Sequence, residues 1–154
     1  MLKIVLFEPE IPPNTGNIIR LCANTGCSLH LIEPLGFDLD DKRLRRAGLD
    51  YREFADIRLY PDIESFRQQQ GNPRMFAATT KGGTLYHRIS YQAGDAILFG
   101  PETRGLPQQV RDDLGAAHTI RIPMKAHSRS LNLSNAAALV VYEALRQLNF
   151  PELE

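Results

Sequence analysis

The residues best equipped for chemistry crowd into one stretch near the end of the chain, IPMKAHSRSLNLSNAAALVVYEALRQ, at positions 122–147. Ser128, Ser130, Asn132 and Ser134 place short polar side chains on a loop, and Lys125, His127 and Arg129 add charge to it. Before the loop, residues 118–122 (HTIRI) alternate like a strand, and Pro123 has no N–H to give a sheet ladder, so the strand should stop there. After it, Asn132 or Ser134 is suited to cap a helix over residues 135–147. That helix is apolar on more than one stripe and should be covered widely. Its successive Ala136, Ala137 and Ala138 would admit another backbone closely, so the cover is either a second copy of the chain or an ordinary core.

Two other loops share the chemical promise. Residues 79–84 (TTKGGT) and 100–106 (GPETRGL) each follow an apolar run, and Gly82, Gly83, Gly100 and Gly105 permit close backbone approach to a ligand, while Glu102 supplies a carboxylate. Singly, such glycines read as turn geometry; three such loops together read as a site. Cations gather in two places. Lys42, Arg43, Arg45 and Arg46 form one group, and Arg121, Lys125, His127 and Arg129 form another. The formal net charge is zero, so a nucleic-acid partner would be held by such local patches and not by the field of the whole molecule. The plain alternative for the first group is a solvated helix face beside Asp40 and Asp41.

The elements that must position these loops alternate along the chain. Residues 3–7 (KIVLF) read as a buried strand, and residues 8–13 as a loop, because Pro9, Pro12 and Pro13 disfavour ladder and helix alike. Asn14 or Thr15 then caps a helix closed by Gly26, and residues 28–32 (SLHLI) form the next strand, completing a right-handed βαβ unit. A short helix is expected over 41–47, a strand over 57–60, a helix over 62–70, strands over 74–78 and 96–99, and a helix from Pro107 to Leu114. This alternation implies an α/β domain with a parallel sheet flanked by helices, whose ligands lie beyond the carboxyl ends of the strands.

Length and composition fit one domain. The chain has 154 residues, 43% hydrophobic and 23% charged, enough for a core without disulfide or metal staples. No apolar run approaches the roughly 20 residues that span a bilayer. The apolar run after Met1 is short and ends at Glu8, so no signal peptide is expected, and the protein is expected to be cytoplasmic. Cys22 and Cys27 stand without a second pair, which excludes a zinc site and implies reduced thiols. No metal and no membrane partner are expected.

The familiar α/β cofactor motifs are missing. The first strand-to-helix turn reads EPEIPPNTGN, without the G-x-G-x-x-G that brings pyrophosphate to a helix N-terminus, although Glu33 stands where a ribose-binding acid would. Neither a G-x-x-x-x-G-K-[ST] loop nor a G-x-S-x-G elbow occurs.

Three motifs do stand in order: NTGNIIR at 14–20, FGPETRGL at 99–106, and IPM at 122–124 with SRSLNLSNA at 128–136. In these the chain resembles the SPOUT superfamily of S-adenosylmethionine-dependent RNA methyltransferases. Within it the likeness is to the short, extension-free tRNA ribose 2′-O-methyltransferases of the wobble nucleotide, and it covers essentially the whole chain. The resemblance implies a C-terminal trefoil knot, a homodimer, and S-adenosylmethionine held by the knotted loops. The substrate it implies is the ribose of nucleotide 34, a cytidine or a modified uridine, in the anticodon loop of tRNA, with leucine tRNAs the expected species. By motif position, Arg20, Ser130 and Asn132 would be the catalytic residues, and the cofactor site would fall on Ala78, Gly100, Glu102, Ile122, Met124 and Ser130. Ala78 stands where relatives often carry a larger aliphatic residue. Arg43, Arg45, Arg46, Lys81, Arg129 and Tyr142 are the expected RNA contacts. The alternatives are a ribose methyltransferase acting on another RNA, whose usual extra RNA-binding domain is missing here, and a non-catalytic RNA-binding module that kept the fold.

Overall fold

The computed structural model describes residues 1–45 and 57–154. Strands β1 (Lys3–Phe7), β2 (Ser28–Ile32), β3 (Ile57–Tyr60), β4 (Met75–Ala78), β5 (Thr84–Leu85), β6 (Ala96–Phe99) and β7 (Thr119–Arg121) form one sheet in the order β3-β2-β1-β6-β4-β7-β5. Every pairing is parallel. Helices α1 (Pro12–Thr25), α2 (Lys42–Arg45), α3 (Ile63–Gln69), α4 (Gln108–Leu114) and α5 (Leu133–Gln147) complete the described elements, with 3-10 turns at Tyr86–Arg88 and Ala116–His118.

The two-residue period of the strands sorts the core into two layers. Ile4, Leu6, Ile97 and Phe99 face α1 and α5 and pack with Ile18, Ile19, Val140, Val141 and Leu145. Val5 and Leu98 point the other way and join Tyr60, Phe66, Met75 and Leu106, with Val110 and Leu114 of α4 against them. Burial on both faces explains why the central strands are continuous apolar runs.

Several boundaries differ from the sequence expectation for physical reasons. Residues 12 and 13 belong to α1 and not to the loop before it, because proline in a first helical turn gives up only an N–H that has no intrahelical partner there. Neither Asn14 nor Thr15 therefore caps that helix; Ile11 precedes it and makes no side-chain cap. Gly26 closes it with φ at 77°, as its lack of Cβ allows. Asn132, not Ser134, caps α5, which begins at Leu133, two residues earlier than expected. β5 falls where a turn-rich loop was expected. The short helix expected over 41–47 is described as α2, and its remainder, with Arg46, lies outside the described residues.

α5 is covered along Ala137, Val140, Val141, Ala144 and Leu145, while Leu139 and Tyr142 are each 44% exposed. The alanine run is used mostly within the chain, since Ala137 is buried and Ala136 lines the cleft described below.

Candidate active site

Three loops leave the carboxyl ends of β4, β6 and β7 and, with α1 and α5, enclose a cleft of about 480 Å3. That is within the range of small-molecule sites, about 300–1,000 Å3. Ala78, Gly100, Glu102, Ile122, Met124, Ser130 and Asn132 all line it. Residues from three separate motifs thus converge where an open parallel sheet places ligands.

Glu102 organises one wall. Its carboxylate accepts hydrogen bonds from the backbone N–H of Glu10 (2.9 Å) and Ile11 (2.8 Å) and from Asn14 Nδ2 (3.3 Å). Helix α1 has no acid in its own first turn, so Glu102 brings the negative charge that its N-terminus favours from the far side of the chain. Asn14 Oδ1 in turn accepts from Asn132 Nδ2 at 3.0 Å. The other end of the Asn132 amide, Oδ1, accepts from Ser134 N (2.9 Å), Ser134 Oγ (2.6 Å) and Asn135 N (3.4 Å), capping α5. Glu102, Asn14 and Asn132 therefore link the starts of α1 and α5 across the cleft, and both ends of the Asn132 side chain are occupied in holding that geometry.

A second clasp lies beside the first. Glu10 accepts from Thr103 N and Thr103 Oγ, each at 2.8 Å, so the loop 8–11 and the loop 100–104 hold each other reciprocally. The Thr103 amide bond, with the Thr103 hydroxyl, holds the Glu10 carboxyl below the ordinary carboxylate range. Gly100 is required by packing, because a Cβ there would lie 2.6 Å from Leu106 N and 2.9 Å from Gly105 C. Residues 123–131 are exposed, and among the described residues their backbone closes one bond within the loop, Ser128 N to Lys125 O.

The remaining expected site residues are dispersed. Arg20 is half-buried on α1 and is not among the residues lining the cleft. Lys81 and Arg129 are exposed, each one residue away in sequence from a lining residue, Thr80 and Ser130. Tyr142 is exposed on α5. Arg43, on α2, is held by Asp41 through bonds of 3.0 and 3.2 Å, which raise its pKa. Arg45 ends α2, and Arg46 lies outside the described residues. Asn14, Tyr86, Thr103 and Arg104 also line the cleft and were not singled out from sequence as site residues; for Asn14, Thr103 and Arg104 the available signal was their place inside the first and second motifs.

The SpoU rRNA Methylase family model matches residues 1–142. The chain belongs to that family. The tRNA (cytidine(34)-2′-O)-methyltransferase of Yersinia pestis is 65% identical over 156 aligned positions, covering 98% of this chain and 96% of the relative. A solved structure described as giving insight into 2-OH methylation of C/U34 on tRNA matches with a TM-score of 0.86 at 44% identity, over 97% of each chain. An AdoMet-bound rRNA methyltransferase from Sinorhizobium meliloti matches with a TM-score of 0.80 at 26% identity, over 96% of this chain and 56% of that one.

The SpoU-family cleft suits the chemistry of S-adenosylmethionine. Ile120, Ile122, Leu131 and Val140 give the cleft an apolar wall of the kind a planar base needs, the loop 123–131 exposes backbone groups beside it, and Thr79 and Ser130 add polar side chains to the same lining. Ala78, being small, widens the floor at the end of β4.

Proposed function

We propose that the protein transfers the methyl group of S-adenosylmethionine to the ribose 2′-oxygen of nucleotide 34 of tRNA, a cytidine or a modified uridine, with leucine tRNAs as the preferred species and the cytoplasm as the setting. The observation that carries this is the meeting of all three motifs in one cleft, in a chain whose relatives over nearly their full length are named tRNA (cytidine(34)-2′-O)-methyltransferases. Bound there, the cofactor supplies an electrophilic methyl on a sulfonium. The chain must then hold the ribose oxygen in line and within about 3–3.5 Å of that carbon, which makes positioning the larger part of the work. Ser130 and Asn132, at the mouth of the third loop, are assigned to cofactor and ribose, with Asn132 fixed by its bonds to Asn14 and Ser134.

Arg20 is assigned to the phosphate beside the target ribose and to the alkoxide that develops on it. A guanidinium with a pKa above about 12 is a poor proton acceptor, so its contribution is charge and orientation. Arg20 is not among the lining residues of its own cleft, and we infer that it reaches the site from a second copy of the chain. A homodimer is supported by the exposed Leu139 and Tyr142 on α5, at 44% each, and by Ile11, Met124 and Leu131 at 38–40% around the cleft. We also infer the trefoil knot. Its support is the tight passage of the loop after β4, where a Cβ on Gly82 would lie 2.4 Å from Ile120 C and one on Gly83 would lie 2.7 Å from Ala116 O.

Alkaline hydrolysis tests the assignment at its chemical core, since strand cleavage needs a free 2′-hydroxyl. Unmodified tRNA incubated with the protein and S-adenosylmethionine should give a ladder with one gap, at nucleotide 34. An unbroken ladder, or a methyl found on a base, would overturn it.

A further inference from the structure

Arg104 stands on the rim of the cleft, in the loop between β6 and α4, with its side chain 56% exposed. It faces Glu8 at 3.4 Å and Glu10 at 3.6 Å. Charge-assisted N–H···O bonds are ordinarily about 2.7–2.9 Å, and exposed pairs of this kind contribute about 0–1 kcal/mol, so neither contact holds the guanidinium firmly. Nor does the loop depend on it. Thr103 already donates twice to Glu10, and Glu102 already accepts from the N–H groups of residues 10 and 11.

Electrostatics sharpen the question of what Arg104 is for. Glu8, Glu10 and Glu102 place three carboxylates at or beside an opening through which a polyanionic strand must present its ribose. Glu102 is turned inward to backbone amides, but Glu8 and Glu10 are only half-buried and would repel an approaching phosphate. A cation between them and the strand removes that repulsion, and a guanidinium can take a phosphate with two parallel bonds where it now makes two long contacts.

We propose that Arg104 is an RNA-phosphate contact, held at the rim by Glu8 and Glu10 until the substrate arrives, and then exchanged from these carboxylates to a phosphate of the strand that carries the target ribose. The proposal rests on RNA being the substrate. It makes Arg104 a positioning residue for the ribose, distinct from the residues that hold the cofactor, and it gives Glu8 the part of a competitor that discourages weakly bound anions.

Arg104→Ala, Arg104→Lys and Glu8→Gln, each in the full chain, test it by tRNA binding and by KM for tRNA across a range of salt, with cofactor affinity measured by calorimetry. Arg104→Ala should raise KM for tRNA about tenfold and flatten the dependence of log affinity on log salt by roughly 0.7–0.9, with cofactor affinity unchanged. Arg104→Lys should restore the slope but not the full affinity, because a lysine keeps the charge and loses the paired bonds. Glu8→Gln should lower KM, since it removes the competing carboxylate. An Arg104→Ala variant with unchanged KM and salt slope, or with weakened cofactor binding as its main defect, would overturn the proposal and leave Arg104 as a clamp on the loop. Binding of tRNA reads these outcomes even where no methyl is transferred, so a failure of the catalytic assignment is distinguishable from a failure of this one.

Discussion

The sheet carries an arginine against carboxylates at each of its ends, and the two are built in opposite ways. At the amino end, Arg74 just before β4 meets Asp95 just before β6 through bonds of 2.9 and 2.6 Å, and its Nη2 also donates to Ser90 O at 2.7 Å. Asp95 is 3% exposed and accepts a further bond from Gln92 N at 2.7 Å. The guanidinium lies 4.9 Å from the Phe76 ring, which stacks on His118. At the carboxyl end, Arg104 is exposed, its contacts are long, and the loops around it are fixed by other groups. The same residue types thus serve as a staple where the carboxylate is buried and the geometry bidentate, and as an available charge where the carboxylates are only half-buried and the contacts long. The pairing alone does not say which; burial and bond length do.

Three substitutions put this difference between the two ends to the test. The largest effect should come at the cleft. Asn132→Ala removes the α5 cap, worth about 1 kcal/mol, and the tie to Asn14, and the resulting misplacement of the third loop should lower kcat/KM about a hundredfold. Steady-state kinetics on tRNA would measure it, and a change within twofold would mean that the Glu102–Asn14–Asn132 chain does not position the reaction. Next, Asp95→Ala takes the carboxylate from Arg74 and the cap from Gln92 N and should lower unfolding free energy by about 2 kcal/mol in chemical denaturation while kcat/KM per folded molecule stays near wild type. Lost activity without lost stability would erase the division between the two ends.

A smaller effect is expected in the core between them. His30 is fully buried, bonded to Ser28 Oγ and Tyr60 OH at 2.8 Å each, and burial, with Arg58 and Lys3 nearby, pushes its pKa down to about 4. The unfolded chain takes up that proton first, near pH 6.5. Stability is therefore complete above pH 6.5 and falls as pH drops, by about 2 kcal/mol between pH 6.5 and pH 5. Denaturation at the two pH values would show it, and His30→Gln should remove this contribution. A slope unchanged in His30→Gln would assign the acid sensitivity elsewhere.

Much of this architecture was legible because it is local. β1, β2, β3 and β6 fall on the expected residues, since short continuous apolar runs between glycine and proline signals leave few other choices. The start of α1 was not legible from the proline rule alone, which forbids the helix interior but not its first turn. β5 escaped because a two-residue strand exists only through pairing with β7, some 36 residues away. The cleft residues were found through motifs, yet the part Glu102 plays was hidden, because its partners Glu10 and Ile11 lie 92 and 91 positions away and are backbone amides, which carry no sequence signature. Arg104 was hidden for the opposite reason, since a charged residue in a glycine loop looks like any solvated side chain until its neighbours are known. Arg20 was named from its motif, but whether it lines its own cleft is decided by tertiary structure, and it is not among the lining residues.

If one chain's cleft is completed by Arg20 of another, as proposed above, mixing inactive variants will restore activity. Arg20→Ala and Asn132→Ala, each nearly inactive alone, would be unfolded and refolded together so that protomers exchange. If the site is shared, mixed dimers contain one cleft with both residues intact, and random assortment in a twofold dimer should restore about a quarter of wild-type turnover. Turnover no greater than the sum of the two separate variants would contradict the claim and return Arg20 to its own chain's cleft.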